Sequence, residues 1–294
     1  MREEEGRIPF RGHETWYRSV GDGPGVPLLC LHGGPGSTHL GLTALEQLGD
    51  ERRVVLYDQL GSGNSSKPSD PSLWTVELFL AELGNVRAAL GLEQVHLLGH
   101  SWGGMLAQEY ALIRPEGLVS LVLSSSLSSA TLWREESLRL RAALPSEIRE
   151  PLDAHEAAGT TDDPEYERAI LAFLHRHLCR LDPWPPLVEE VMRSTNLEVY
   201  RTMWGPSEAH PTGVLAGWDV TARLGEIRAP ALVLCGRYDE ATPLQAETIA
   251  QGLPDAELVI FEESAHLAPV EETQRYLATL RTFLARIDST QTDP

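Results

Sequence analysis

Residues 95–104 read Val95-His96-Leu97-Leu98-Gly99-His100-Ser101-Trp102-Gly103-Gly104. The opening run is apolar enough for a buried strand, and it feeds directly into a Gly-x-Ser-x-Gly pentapeptide. Residues 105–113 then take on helical texture. A strand, a tight turn and a helix in that order place the serine on a strained elbow with its hydroxyl exposed. Glycines are required there because larger side chains would clash at the turn. The helix N-terminus also directs backbone N–H groups toward any negative charge developing beside the serine. The pentapeptide alone recurs by chance in a chain rich in glycine and serine, so its context carries the reading.

The pattern extends on both sides of this stretch. Short apolar runs at 26–31, 54–57 and 118–123 predict further buried strands. Between 74 and 90, Phe79, Leu83, Val86 and Leu90 fall on one helical face. The first twenty residues alternate as an antiparallel hairpin around Arg11-Gly12-His13. From about 125 to 221 the strands stop, and the chain becomes helical in texture and broken by Pro145, Pro164 and Pro185-Pro186. The βα rhythm resumes at 231–235 and 258–261, followed by a last amphipathic helix carrying Leu277, Leu280, Leu284 and Ile287. The expected organisation is a mostly parallel sheet covered by helices on both faces, spanning 1–126 and 222–294, with a helical cap inserted at 127–221. The tail from Asp288 is polar and is expected to fray.

Composition narrows the function. The 294 residues carry a formal net charge of −19, and Lys67 is the only lysine. No Lys/Arg stripe is present to neutralise phosphates, so nucleic acid is not an expected partner. No run reaches the roughly 20 apolar residues that span a bilayer, and no apolar stretch backs the N-terminal Arg2-Glu3-Glu4-Glu5, so neither a membrane partner nor a signal peptide is expected. Cys30, Cys179 and Cys235 are odd in number, and Cys30 and Cys235 sit in apolar runs as core residues do, which points to a reduced, cytoplasmic setting. His175 and His177 are two apart and cannot share a helical face, and no His-Glu-x-x-His occurs, so no metal site is expected. No cofactor is expected either.

A serine hydroxyl becomes a nucleophile when a base takes its proton, and the base needs a carboxylate to orient it. Asp239 lies in Gly236-Arg237-Tyr238-Asp239-Glu240 after the run at 231–235, and His266 lies in Glu263-Ser264-Ala265-His266-Leu267 after 258–261. Taken singly, the first is an ordinary turn carboxylate and the second a loop histidine. Together they follow Ser101 in the order Ser, acid, His, each after a strand, which is the arrangement of the α/β-hydrolase fold. The expected catalytic set is Ser101, Asp239 and His266. The oxyanion hole then takes the N–H of Trp102 and one from the loop His32-Gly33-Gly34-Pro35-Gly36, with Gly34 the preferred donor. A serine at the elbow excludes the dehalogenases and epoxide hydrolases of this fold, which place aspartate there.

His32-Gly33-Gly34-Pro35-Gly36, Asp58-Gln59-Leu60-Gly61-Ser62-Gly63-Asn64-Ser65 and Gly99-His100-Ser101-Trp102-Gly103-Gly104 resemble the proline iminopeptidase (prolyl aminopeptidase) family, over essentially the whole chain. Within the cap, Asp163-Pro164-Glu165-Tyr166, Trp184-Pro185-Pro186 and Tyr200-Arg201-Thr202-Met203-Trp204-Gly205-Pro206-Ser207-Glu208 resemble the tricorn-interacting aminopeptidase. Thr15-Trp16-Tyr17-Arg18 and Asp239-Glu240-Ala241-Thr242-Pro243 resemble the L-prolinamide and L-amino-acid amide hydrolases of the same family. The resemblance implies carboxylates that hold the free amine of the substrate, here Glu208 and Glu240, with Tyr200 nearby. An ammonium leaving water needs such a paired negative charge. Ser207-Glu208-Ala209 replaces the family's frequent Asn-Glu-Phe, so the local packing and the amine pocket differ there, and Leu60 replaces a frequent arginine, a feature that several amidase-like members share. Trp102 and Trp204 are candidates to line an apolar slot for a proline-like ring. The expected activity is removal of an N-terminal residue, proline preferred, from a small peptide or amino-acid amide with a free N-terminus. The alternatives are an amino-acid or prolinamide amide hydrolase, a generic carboxylesterase, and a non-catalytic binding protein on this scaffold.

Overall fold

The computed structural model describes residues 2–207 and 210–291. The hairpin forms from β1 (Glu3–Phe10) and β2 (His13–Leu31), paired antiparallel from Glu3 with Val20 to Phe10 with His13. Arg11 and Gly12 both take positive φ, the conformation that a two-residue hairpin turn needs. β2 is longer than expected, because the run at 26–31 continues the hairpin strand rather than forming one of its own. It bends between Val20 and Leu28, where the register slips at Pro24-Gly25. A Cβ at Gly21 would stand 2.0 Å from the Gly49 carbonyl oxygen, so this close approach is open only to glycine.

The bend lets β3 (Arg52–Asp58) pair with both arms of β2: Val54 is opposite Val20 in one and Leu28 in the other. Beyond the second arm the sheet continues through β4 (Val95–His100), β5 (Leu118–Ser124), β6 (Ala231–Gly236) and β7 (Ala256–Phe261), each parallel to its neighbour. Alternate strand residues divide between two cores, as period-2 geometry requires. Leu29, Leu31, Leu97, Leu121, Leu123 and Val233 pack under α1 (Val76–Ala89), α2 (Trp102–Leu112) and α8 (Pro243–Gly252). Leu28, Cys30, Leu98, Val122, Leu232 and Leu234 pack under the 3₁₀ segment His39–Leu48 and α10 (Thr273–Gln291). A short helix, α9 (Ala268–Glu271), precedes α10.

Between β5 and β6 lie α3 (Ala130–Ala142), α4 (Ser146–Ala158), α5 (Pro164–His177), α6 (Pro186–Ser194) and α7 (Leu197–Met203). Their starts follow from local chemistry. Asp163 and Asn196 cap α5 and α7 through their side chains, and proline opens α5 and α6 where a missing N–H costs nothing. Tyr166, Phe173, Leu174, Leu178 and Val188 form a third core, closed below by Leu267.

The expectation of a frayed tail from Asp288 is corrected for residues 288–291, while 292–294 lie outside the described residues. Helix α10 runs on to Gln291, and the Asp288 carboxylate accepts from Arg52 Nη1 at 3.0 Å and lies 2.9 Å from His96 Nε2. Burial of Arg52 and His96 makes this anchor effective: two nearly enclosed bases meet one carboxylate. Cys30, Cys179 and Cys235 are free and buried. No helix among the described residues is long and apolar enough to cross a membrane.

Candidate active site

The elbow is built at the carboxyl end of β4. Ser101 has φ 55° and ψ −120°, a strained conformation for a non-glycine residue, and it stands at the N-terminus of α2. The turn is held by Ser101 N–H donating to the Ser124 carbonyl at 2.9 Å and by Ser126 Oγ donating to the Ser101 carbonyl at 2.9 Å. A Cβ at Gly99 would lie 2.2 Å from the Gly103 carbonyl oxygen, and one at Gly103 would lie 2.2 Å from that of Leu31. Both pentapeptide glycines are therefore fixed by contact.

Asp239 and His266 come from the loops after β6 and β7. The His266 imidazole donates from Nδ1 to Asp239 Oδ1 at 2.7 Å, and the same oxygen accepts from the Ala241 N–H at 2.7 Å. Asp239 is 1 % exposed and His266 4 %, so this pair works out of bulk water. Nδ1 is thereby engaged, and Nε2 stands 4.0 Å from Glu240 Oε1. Ser101 and His266 line one cavity of about 480 Å³.

Helices α3 and α5 fix both loops. The His177 carbonyl at the end of α5 accepts from the Glu240 N–H at 3.1 Å and the His266 N–H at 3.3 Å. The His177 ring, through Nδ1, meets the Tyr238 carbonyl at 2.8 Å. Glu136 of α3 accepts from Thr242 Oγ1 at 2.6 Å, tying α3 to the loop that carries Asp239. His100 packs edge-on to His266 with ring centroids 4.8 Å apart, and its Nε2 lies 2.9 Å from the His266 carbonyl oxygen. Burial, reinforced by the neighbouring His266, pushes the His100 pKa down to about 4. Its ring is therefore neutral at neutral pH and donates that hydrogen bond from Nε2.

Gly34 and Trp102 flank Ser101, and their backbone N–H groups find no acceptor among the described residues. Gly34 has φ 109°, and a Cβ there would stand 2.6 Å from the Ser37 nitrogen, so the loop needs glycine at that position. His32 supports this loop from beneath. Its Nδ1 lies 2.9 Å from the Gly33 carbonyl oxygen, and its Nε2 accepts from the Gln59 N–H at 3.0 Å. Burial lowers the His32 pKa, which keeps the ring neutral and able to play both roles.

The proposed substrate-binding residues separate into two groups. Trp204 and Trp102 border a small slot beside Ser101, completed by Gly34, Met105, Leu127 and Trp133. Trp133 meets Trp204 edge-on with centroids 5.3 Å apart. Tyr200 lines the larger cavity instead. Glu240 is buried with Oε1 4.0 Å from His266 Nε2, so its carboxylate borders the reacting centre. Glu208 lies outside the described residues. His175 meets Trp184 at a tilt of 31°, with ring centroids 4.4 Å apart.

Sequence reasoning missed His100, Gln59, Glu136 and the His177 carbonyl as supports of the site. Gln59 and His100 stand inside the motifs that carry the family resemblance, which is the one signal available. The others act through contacts that leave no local pattern.

A buried acid–imidazole pair, a strained serine at a helix N-terminus and two backbone N–H groups beside it without an acceptor among the described residues form a site suited to acyl transfer. The family described as the alpha/beta hydrolase fold matches residues 26–273. The chain is 41% identical over 285 residues to a proline iminopeptidase of Heyndrickxia coagulans, covering 96% of this chain and 99% of that one. It is 39% identical over 293 residues to a proline iminopeptidase of Clostridium botulinum, covering 98% and 100%. Among solved structures it is similar to VinJ, with a TM-score of 0.94 at 41% identity, covering 97% of this chain and 99% of that one. It is also similar to the proline iminopeptidase of Mycobacterium smegmatis, with a TM-score of 0.91 at 39% identity and coverage of 98% and 100%. The chain belongs to the α/β-hydrolase fold family and, within it, to the proline iminopeptidase family.

Proposed function

We propose that the protein is a serine aminopeptidase that cleaves the amide bond after an N-terminal residue with a free amine, proline preferred. The observation that carries this reading is the buried Glu240 carboxylate 4.0 Å from His266 Nε2, beside an imidazole bound to Asp239 at 2.7 Å. An esterase has no use for a buried carboxylate at that point, whereas an ammonium group leaving water needs one.

In the first half-reaction Ser101 Oγ attacks the carbonyl carbon of the first residue while His266 Nε2 takes the hydroxyl proton. Asp239 holds Nδ1 protonated and stabilises the imidazolium that forms. The carbonyl oxygen becomes an oxyanion between the Gly34 and Trp102 N–H groups, and removing one such donor costs about 3 kcal/mol of barrier. The carbon–nitrogen bond then breaks, and His266 returns the proton to the leaving amine. Water attacks the acyl-enzyme by the same route in reverse roles. Glu240 and Glu208 are assigned to hold the substrate amine, Tyr200 lines the cavity at Ser101, and Trp102 and Trp204 supply apolar surface for the proline ring. The cap at 127–221 closes the site over this acyl group, and the setting is the reduced cytoplasm.

Prolyl, alanyl and leucyl anilides, each with its N-acetylated form, test the reading. The free-amine prolyl compound is expected to be cleaved fastest and acetylation to abolish cleavage. Equal rates with and without the acetyl group would overturn the amine anchor and support a carboxylesterase.

A further inference from the structure

Three consecutive backbone N–H groups fix the peptide that carries His266, and all three lead to one segment of the cap, residues 177–180 at the end of α5. The Leu267 N–H donates to the Leu178 carbonyl at 3.0 Å. The His266 N–H reaches the His177 carbonyl at 3.3 Å, the longest of the three bonds, and shares that acceptor with the Glu240 N–H. The Ala265 N–H meets no carbonyl. It donates instead to Glu271 Oε2 at 2.9 Å, while Glu271 Oε1 accepts from the Arg180 N–H at 2.7 Å. One carboxylate thus supplies the rung that the main chain lacks.

Glu271 closes α9, so the chain beyond His266 turns back to deliver this carboxylate to the residue before it. Ala265 is fully buried, and its N–H has no other acceptor among the described residues. Left unpaired, that N–H would cost the loop its geometry or its stability. The loop has little room to adjust, since a Cβ at Gly236 would stand 2.1 Å from the Ala265 carbonyl oxygen. Arg180 adds a second grip, its guanidinium 3.5 Å from the centre of the Tyr238 ring in the loop that carries Asp239. The neighbouring Glu272 offers a contrast. It accepts from Ser264 Oγ at 2.7 Å and from the Glu263 N–H at 3.1 Å, so it braces the same loop through bonds that stay within the core.

We propose that Glu271 is a positioning residue for catalysis: its carboxylate couples the cap segment at 177–180 to the residue before His266, and so holds the imidazole in place against Asp239. The inference rests on the role of His266 proposed above and names the group that sets its placement. A displacement of about 1 Å at a reacting centre costs about 100-fold in rate. A residue acting this way governs the chemical step more than the affinity for substrate.

Glu271→Gln keeps the size but offers one oxygen to two N–H donors. On a prolyl anilide and on p-nitrophenyl acetate, kcat is expected to fall about 10- to 100-fold with KM changed less than about threefold. The imidazole pKa read from the pH profile of kcat/KM should fall by about 0.5, because a His266 less well held by Asp239 gives up its proton more readily. Glu272→Gln should stay within about threefold of wild type in kcat, since it leaves the link to the cap intact. Unchanged kcat and pH profile in Glu271→Gln, whatever its melting temperature, or equal losses in both glutamine variants, overturns the inference. Glu271→Asp, one methylene short of spanning both N–H groups, should lose about three- to tenfold in kcat. It carries the test if Glu271→Gln does not fold, and wild-type kcat in it then overturns the inference. His266→Ala separates this from the reading beneath it. Activity retained in His266→Ala overturns the catalytic assignment itself, whereas an inactive His266→Ala beside an unimpaired Glu271→Gln overturns the positioning role alone.

Discussion

The Gln59 side chain accepts a hydrogen bond from the Trp102 indole Nε1 at 2.8 Å, and its amide nitrogen donates to the His32 carbonyl at 3.0 Å. One buried amide thus joins the two chain segments that carry the proposed oxyanion donors. Trp102 begins α2, whereas His32 leads into Gly33 and Gly34 at the end of β2. The separation between two N–H groups that must converge on one oxygen is set in part by this bridge.

Replacing Gln59 should therefore affect the chemical step more than binding. Gln59→Leu removes both bonds, and kcat is expected to fall about 10- to 100-fold with KM changed less than threefold, short of the loss of a whole donor. Gln59→Glu keeps the acceptor for Trp102 and loses the donor to His32, so it should retain more activity than Gln59→Leu. Steady-state kinetics on a prolyl anilide, with melting curves for all three proteins, checks this. Equal losses in kcat and in 1/KM would mark Gln59 as a packing residue only.

Asn196 performs the corresponding task for the cap. Its N–H donates to the Gly36 carbonyl at 2.8 Å, its Nδ2 donates to the Gly61 carbonyl at 2.7 Å, and its Oδ1 caps α7. Tyr200 and Trp204 follow on α7 and just past its end. Asn196→Ala loses the cap and the docking bond, and is expected to destabilise by about 1–2 kcal/mol and to raise KM for prolyl substrates. Asn196→Asp keeps the cap but loses the donor to Gly61. It should recover most of the stability and little of the KM, a split that a purely stabilising role would not produce.

The fold and the chemistry were legible in the sequence to different depths. Ser101, Asp239 and His266 could be located because each follows an apolar run, and a parallel sheet gathers the ends of its strands on one edge. The long β2 was read as two segments because its bend, at Gly21 to Gly25, looks like a loop when its partner β3 is unknown. Asp288 was misassigned for the same reason: its partner Arg52 lies 236 residues away. Glu136, His100 and the His177 carbonyl share this property, since a polar residue in a helix or at a strand end carries no mark of what it meets across the fold. The tryptophan slot and the apolar cavity depend on how the cap packs, and periodicity alone does not define that.

Glu82 gives the fold a pH dependence. It is fully buried, accepts from Thr15 Oγ1 and from the Leu60 N–H at 2.9 Å, and burial raises its pKa to about 7. The hydrogen bonds from Thr15 and Leu60 oppose that rise without cancelling it. A carboxyl whose folded-state pKa exceeds its unfolded value contributes stability that is complete below the unfolded pKa, near 4.5. That contribution is lost as pH rises through about 7, on the order of 2–3 kcal/mol. Glu82→Gln, which does not ionise, should flatten this part of the stability profile. Urea unfolding at pH 5 and pH 8 checks it: the wild-type difference between the two should shrink in the variant, and an unchanged difference would assign the dependence to other groups.

Glu240 separates amine recognition from catalysis most directly, because it adjoins Asp239 in sequence and His266 in space. Glu240→Gln preserves size and leaves the backbone bond to the His177 carbonyl intact, while removing the negative charge 4.0 Å from Nε2. If that charge holds the substrate ammonium, KM for prolyl anilide should rise at least tenfold. Hydrolysis of a simple acyl ester without an amine should change less than threefold, since Ser101, His266 and Asp239 are untouched. The contrast follows from charge pairing out of water, where losing one partner leaves the other exposed to the full cost of burial. If amide and ester rates fall together, the substitution has disturbed the Asp239–His266 pair instead, and a shifted pH–rate profile for the ester would accompany it.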